Sequence, residues 1–134
     1  GLPASAITVH PTLLGGGLGR KIEQDYVAQA VRVSKAIGKP VKLTWSREED
    51  LAHDQYRPSG LVRIRLGLGA DGTVASYASR IVTPSPLFQR GWMGPTGNDN
   101  VDGAVGLPYA FPNRLVEYVR DPAAIPVGFW RRTW

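Results

Sequence analysis

Leu14-Gly-Gly-Gly-Leu-Gly-Arg20 is a glycine-rich stretch that separates two different hydrophobic patterns. Before it, Ile7-Thr-Val-His10 is short and β-branched and precedes a proline, which predicts a strand. After it, apolar residues recur every three or four positions from Lys21 to the Gly-Lys-Pro stop at 38–40, which predicts an amphipathic helix. The glycine stretch is therefore expected to be a loop between a strand and a helix.

The segment after this helix predicts a second strand and a short helical turn. Val41-Lys-Leu-Thr-Trp45 alternates apolar and polar residues, as a strand covered on one side does. Ser46 with Glu49 three places later is a capping box, which marks the start of a helix. Together with the first strand and the helix, these residues predict a strand–helix–strand unit.

A β-hairpin is predicted further along the chain. Leu61–Leu68 and Thr73–Val82 both alternate, and the Asp71-Gly72 pair between them favours a hairpin turn. In the second strand, Tyr77 and Ile81 fall on one face and Val74, Ala78 and Val82 on the other. Arg114–Arg120 predicts a last strand. Thr83–Val105 lacks periodicity and is interpreted as functional, mobile or packed on polypeptide outside this chain, with the last alternative favoured. The fold class is therefore α+β.

Composition limits the classes of function. The chain has 134 residues, which suits one domain, and carries a formal charge of +5 with a pI of about 9.9. Because no Lys/Arg run exceeds two residues, nucleic acid is not the expected partner. The absence of cysteine excludes disulfides and Cys-bound iron–sulfur clusters within the chain. No apolar run approaches the roughly 20 residues of a transmembrane helix, and the sequence does not distinguish bacterial cytoplasm from periplasm.

The glycine loop is the first candidate for binding. Glycines let backbone N–H groups approach a ligand, and a helix N-terminus favours negative charge, so the loop could hold an anionic cofactor. Gly15–Lys21 matches neither the dinucleotide pattern GxGxxG nor the P-loop, and a simple tight turn is the alternative interpretation.

Other candidate residues are two arginines and two histidines. Arg57 precedes a proline that favours extended backbone, and Arg131 follows two aromatic residues, so each could orient a substrate or simply be solvated. His10 and His53 lack the partners of a hydrolytic triad. The carboxylates of residues 48–50 are explained by the first turn of a helix, and no metal site built from protein ligands is predicted.

Six ordered segments together resemble one family, the xanthine dehydrogenase/aldehyde oxidase family, and are most similar to its isoquinoline 1-oxidoreductase beta-subunit and membrane-associated aldehyde dehydrogenase branch. The segments are Thr8–Arg20, Gln24–Ala30, Gly38–Leu43, Trp45–Asp50, His53–Pro58 and Pro126–Arg131. The resemblance implies that residues 1–134 are a single partial domain of the large, molybdenum-cofactor-binding subunit.

The resemblance also implies roles for individual residues. Gly16, Gly17, Leu18 and Gly19 would contact the molybdopterin, with Leu18 standing where an aromatic residue is usual. Arg57 would orient the substrate, and Arg131 with Trp130 would lie beside the molybdenum centre. The family's glutamate base lies downstream of these motifs, so the isolated chain is expected to be inactive. The closing Arg132-Thr-Trp134 departs from the small residues that are usual there, which suggests an altered terminus.

The implied parent enzyme oxidises N-heterocycles or aldehydes with water as the oxygen source. Its cofactor would be molybdenum–molybdopterin, expected in the cytosine dinucleotide form, and its [2Fe-2S] clusters would sit on a small partner subunit. Its other partners would be the remainder of the large subunit and the small-molecule substrate. Two alternatives stay open: a stand-alone basic interaction module that docks through tryptophans such as Trp92 and Trp130, and an inactive structural remnant.

Overall fold

A computed structural model describes residues 2–92, 100–122 and 124–129 of the chain. These residues divide into two compact units: the first comprises residues 2–54 together with Phe129, and the second comprises residues 55–128. The first unit contains the helices of the N-terminal part, and the second contains the sheet. The architecture combines helices with a three-stranded mixed sheet, which confirms the predicted α+β class.

The first unit consists of two 3₁₀ turns and two α-helices. The turns cover Ala4–Ala6 and Arg20–Ile22, and the helices are α1, Asp25–Ile37, and α2, Arg47–His53. Helix α1 ends where predicted, because Gly38 adopts the left-handed conformation (φ 65°) and donates its N–H to the Ser34 carbonyl at 2.9 Å. It begins four residues later than predicted, since Arg20–Ile22 forms a separate turn. Helix α2 begins at the predicted cap, where the Glu49 N–H donates to Ser46 Oγ at 3.2 Å.

The prediction of a strand on either side of α1 is wrong. Ile7–His10 and Val41–Trp45 are neither strand nor helix in the structure. A strand exists through a hydrogen-bonded ladder with a neighbour, and residue alternation sets only the local preference. Within the described ranges neither segment has such a neighbour, so the strand–helix–strand unit is not formed. Trp45 instead anchors its segment to α1 through a 2.9 Å hydrogen bond from Nε1 to Gln29 Oε1.

The second unit is built on a sheet with the order β1-β2-β3. Strand β1 is Leu61–Leu68, β2 is Val74–Thr83 and β3 is Asn113–Arg120. Strands β1 and β2 form the predicted antiparallel hairpin, and Gly72 takes the positive φ (80°) that its turn requires. Strand β3 is parallel to β2. A parallel neighbour needs a long crossover, which is here the chain between Thr83 and Asn113. The described residues of this crossover include the short helices α3 (Pro86–Gln89) and α4 (Asp102–Val105).

The apolar core lies on one face of β2. Tyr77 and Ile81 are buried there, and Ser79 lies buried between them, which confirms the predicted alternation of this strand. The Tyr77 ring stacks on Phe111 with centroids 5.1 Å apart and planes 10° apart. Phe111 belongs to the crossover, so this stacking fastens the crossover onto the sheet.

Replacing Tyr77 with alanine is expected to lower the free energy of unfolding by about 3 kcal/mol, because a buried aromatic ring leaves a cavity and loses its stacking partner. Tyr77→Phe keeps the ring and should cost less than about 1 kcal/mol. Urea unfolding followed by circular dichroism measures both. A loss for Tyr77→Ala no larger than that for Leu68→Ala, at a residue 66% exposed, would contradict the assignment of this core.

Candidate functional site

The glycine loop, defined here as residues 15–19, contains three residues in the left-handed region. Gly16 has φ 124°, Gly19 has φ 95° and Leu18 has φ 45°. Leu18 and Gly19 are the two central residues of a tight turn that the Arg20 N–H closes by donating to the Gly17 carbonyl at 2.7 Å. Positive φ at both central positions is the type I′ pattern, which costs a residue such as leucine about 1 kcal/mol. The backbone of Leu18 is therefore strained, and the residue is 82% exposed.

Glycine is required at position 17 because there is no space for a side chain. A Cβ added to Gly17 would lie 2.6 Å from the Lys21 Cβ and 3.2 Å from the Lys21 nitrogen. At Gly15 and Gly16, by contrast, an added Cβ would meet no atom within 4 Å. The inner side of the loop is thus packed against the chain that follows, and its outer side is open.

The outer side carries hydrogen-bond donors. Within the part of the chain that the structure describes, the backbone N–H groups of Gly15, Gly16 and Leu18 donate to no protein acceptor. With no Cβ over the first two, an oxygen-bearing ligand can approach these donors closely. Helix α1 begins only at Asp25, so its N-terminus does not adjoin the loop as predicted, and the loop's own N–H groups are the donors.

Arg20 joins the end of the loop to both helices of the first unit. Its NH1 and NH2 donate to the two carboxylate oxygens of Asp25, each at 2.7 Å, and its Nε donates to Asp54 Oδ1 at 2.7 Å. Asp25 is the first residue of α1, and Asp54 follows the last residue of α2. The hydrogen bonds that the guanidinium donates to Asp25 hold the pKa of Asp25 below its usual value and raise the pKa of Arg20.

Arg57 belongs to the second unit, where its segment is fixed by a partner far along the chain. Tyr56 forms a parallel bridge with Val127, with the Tyr56 N–H donating to the Pro126 carbonyl at 3.1 Å and the Gly128 N–H to the Tyr56 carbonyl at 2.9 Å. A Cβ on Gly128 would lie 2.5 Å from the Gln55 Cβ, so the two segments touch without space for a side chain. Arg57 itself is exposed.

Arg90 and Gln89 reinforce this bridge. Arg90 donates to the Val127 carbonyl at 2.8 Å, and Gln89 Oε1 accepts from the Val127 N–H at 2.9 Å. The structure therefore brings together two of the six motif segments, His53–Pro58 and the start of Pro126–Arg131. Trp130 and Arg131 lie outside the described residues. Gly16, Gly17, Leu18 and Gly19 lie together in the first unit, and Arg57 lies in the second.

The histidines and the acidic residues of α2 form no metal site within the described ranges, where no group of three His, Asp or Glu side chains could hold a metal ion. His53 Nδ1 lies 2.9 Å from Glu49 Oε2, one helical turn away, and Arg47 pairs with Asp50 at 2.8 Å. These contacts are ordinary helix-surface pairs.

Sequence reasoning missed the contacts of Arg20, Gln89 and Arg90. Arg20 was visible only as the residue that breaks the GxGxxG pattern, and its partners lie 5 and 34 residues away. Nothing in the local sequence of Gln89 or Arg90 indicates a partner near residue 127. The one sequence signal for any of these contacts was the position of Arg20, a charged residue directly after the glycine loop.

Comparison with known proteins assigns the family. The family model of the molybdopterin cofactor-binding domain matches residues 1–119. The chain belongs to this family. It is 36% identical over 111 residues, 81% of its length, to a membrane-bound aldehyde dehydrogenase [pyrroloquinoline-quinone] of Gluconacetobacter polyoxogenes. It is also 39% identical over 48% of its length to isoquinoline 1-oxidoreductase subunit beta of Brevundimonas diminuta, and 33% identical over 65% to the xanthine dehydrogenase molybdenum-binding subunit of Escherichia coli O157:H7.

The chain spans only 14%, 8% and 12% of the lengths of these three relatives. The matches support the assignment to the molybdopterin-binding xanthine dehydrogenase/aldehyde oxidase family. No solved structure matches the chain significantly. Among the described residues, no helix has both the length and the apolar character to cross a membrane.

Gly17→Ala is expected to destabilise the first unit by about 2 kcal/mol, because its methyl group must displace the Lys21 backbone. Gly15→Ala is the matched control and should change stability by less than about 0.5 kcal/mol, since its methyl group meets open space. Thermal unfolding of both variants measures the difference. Equal stabilities would show that the loop is not packed against Lys21.

Proposed function

We propose that the chain supplies one wall of the cofactor and substrate pocket in a molybdenum hydroxylase large subunit. The whole enzyme would oxidise N-heterocycles or aldehydes with water as the oxygen source and pass electrons to [2Fe-2S] clusters on a small partner subunit. The observation that carries the proposal is the glycine loop, whose outer N–H groups lack acceptors among the described residues. Residues 1–134 would form part of one cofactor-binding domain.

The loop fits molybdopterin on chemical grounds. Molybdopterin bears a phosphate and ring heteroatoms, and backbone N–H groups of a glycine loop suit such acceptors without adding charge of their own. Gly16, Gly17, Leu18 and Gly19 would hold the cofactor, with Trp130 beside it. When bound, the cofactor would supply the two-electron redox chemistry that the side chains of this chain lack. We propose the cytosine dinucleotide form.

Substrate positioning is assigned to Arg57 and Arg131. Arg57 follows Tyr56, whose backbone is fixed by the bridge to Val127, so the arginine extends from an anchored segment. A guanidinium can orient a heterocycle or carbonyl and stabilise negative charge that develops during oxidation. Two relatives are an aldehyde dehydrogenase and an isoquinoline 1-oxidoreductase subunit, which supports these two substrate classes.

The isolated chain is proposed to be inactive and to need the remainder of the large subunit. By the resemblance to the family, the glutamate base would be supplied by polypeptide downstream of these motifs. Apolar residues of β1 are left exposed on the side of the sheet that carries Tyr77: Val62 by 53%, Ile64 by 56% and Leu66 by 56%. An apolar surface of this kind marks a contact with other polypeptide.

Molybdenum and pterin content tests the cofactor. The chain should be purified alone and again within its complete subunit, and both assayed by elemental analysis and pterin fluorescence. Molybdenum and pterin are expected in the complete subunit and not in the chain alone, because most cofactor contacts lie elsewhere. Bound pyrroloquinoline quinone without molybdenum would favour the cofactor for which the related aldehyde dehydrogenase is named. Neither cofactor in either form, with salt-sensitive DNA binding, would favour the interaction module.

The role of Arg57 is tested by Arg57→Ala in the complete enzyme. Its kcat/KM for an N-heterocycle or an aldehyde should fall about 100-fold, which corresponds to roughly 3 kcal/mol of lost transition-state stabilisation. Arg63→Ala, which removes an exposed arginine of β1, is the control and should leave kcat/KM unchanged. An unchanged kcat/KM for Arg57→Ala would remove Arg57 from the substrate site and leave the cofactor proposal intact.

A further inference from the structure

We infer that Arg20 is a positioning residue that fixes the shape of the glycine loop before any ligand binds, through its two carboxylate partners Asp25 and Asp54. The functional value of this role rests on the proposed function of the loop. The role itself concerns only residues of this chain and can be tested without a cofactor.

The first argument is the lack of apolar packing around the loop. The buried hydrophobic residues of the described chain, Tyr77, Ile81 and Val127, all belong to the second unit. In the first unit, neither α1 nor α2 contains a buried residue. Hydrophobic burial therefore does not determine the conformation of the loop, and polar contacts must do so.

The second argument is the geometry of the guanidinium. Arg20 makes a two-point contact with Asp25 and a third contact with Asp54, all at 2.7 Å. It also lies 5.9 Å from the centre of the Tyr26 ring. Only a planar fork can satisfy one carboxylate at two points and a second carboxylate at its Nε. A lysine keeps the charge and loses this geometry.

The third argument links the side chain to the loop backbone. The Arg20 N–H closes the turn on Gly17, the Ile22 N–H donates to the Gly19 carbonyl at 3.2 Å and the Glu23 N–H to the Arg20 carbonyl at 3.1 Å. Leu18 occupies a conformation that leucine disfavours, so something must hold it there. An Arg20 anchored at both helices holds one end of that turn in place.

The charges also show what Arg20 does not do. Two carboxylates surround one guanidinium, so the cluster of Arg20, Asp25 and Asp54 carries a formal charge of −1 when both carboxylates are ionised. Such a cluster does not attract an anion. Arg20 therefore acts through the loop backbone, while the loop N–H groups face the ligand.

Nuclear magnetic resonance of the 134-residue chain tests this inference. A Leu18 residue with positive φ gives a strong nuclear Overhauser cross-peak between its own amide and α protons. The hydrogen bonds of the turn protect the amides of Arg20, Ile22 and Glu23 from exchange with solvent. Arg20→Lys should weaken the cross-peak and speed the exchange of these three amides at least tenfold, while the amides of β1 and β2 remain unchanged. Arg47→Lys, at an exposed pair on α2, is the matched control and should alter neither.

Two further measurements keep the outcome clear if Arg20→Lys disturbs the helices. Asp54→Asn retains the pairing of Arg20 with Asp25. It should weaken the Leu18 cross-peak and speed amide exchange less than Arg20→Lys does. In the unmodified chain, Asp25 has a lowered pKa with Arg20 as its charged neighbour, so its contribution is present above the unfolded value of about 3.9. The Leu18 signature should therefore persist at pH 4 to 7 and disappear as the pH falls further, through the folded pKa.

An unchanged Leu18 signature in Arg20→Lys and Asp54→Asn, with unchanged amide exchange, would overturn the positioning role. Molybdenum content of the complete subunit is then a separate readout. If the loop loosens in Arg20→Lys and molybdenum also falls, both proposals stand. If the loop loosens and molybdenum is unchanged, the positioning role stands and the loop is not the cofactor contact.

Discussion

The contact of one guanidinium with two carboxylates is the constraint on which the first unit depends. Arg20 binds the first residue of α1 and the residue that follows α2, and its backbone closes the turn that carries Leu18 and Gly19. Because the helices of this unit contribute no buried residue, charged hydrogen bonds take the place that a hydrophobic core has elsewhere. Such bonds fix the direction as well as the distance of a contact, which suits a segment proposed to present backbone N–H groups to a ligand.

The second unit follows the opposite principle. Strand β2 pairs on both sides, and its inward residues Tyr77 and Ile81 supply a core that Phe111 of the crossover completes. The parallel pairing of β3 requires the crossover, and the crossover carries α3. Gln89, the last residue of α3, and Arg90, which follows it, hold the segment around Val127. The parallel direction of β3 thus requires the crossover whose residues fix the segment bridged to Tyr56, next to Arg57.

The chain belongs to the molybdopterin cofactor-binding family. Under the proposed function, the glycine loop of the first unit would present backbone N–H groups to the cofactor. In the second unit, the segment that the Tyr56–Val127 bridge fixes would present Arg57. The chemistry would come from a bound cofactor, and the protein would supply position and hydrogen bonds.

The amino-acid sequence alone determined the elements whose signals are local. Helix α1 and its Gly38 stop, the Ser46 cap, the hairpin with its Asp71-Gly72 turn and the last strand were all predictable, because periodicity, caps and turns depend on neighbours within a few residues. The six ordered motifs were also sufficient to indicate the family. The candidate residues Gly16, Gly17, Leu18, Gly19 and Arg57 came from that resemblance, and their roles stay proposals.

Only the tertiary structure decided which extended segments became strands and which side chains met. Ile7–His10 and Val41–Trp45 have strand-like sequences but form no hydrogen-bonded ladder within the described residues. Strand β3, by contrast, pairs in parallel with β2, which ends 30 residues earlier in the chain. The contact between Arg20 and Asp54 and the bridge from Tyr56 to Val127 likewise join residues 34 and 71 positions apart. Pairing over such distances depends on the free energy of the whole folded chain, and no local pattern encodes it.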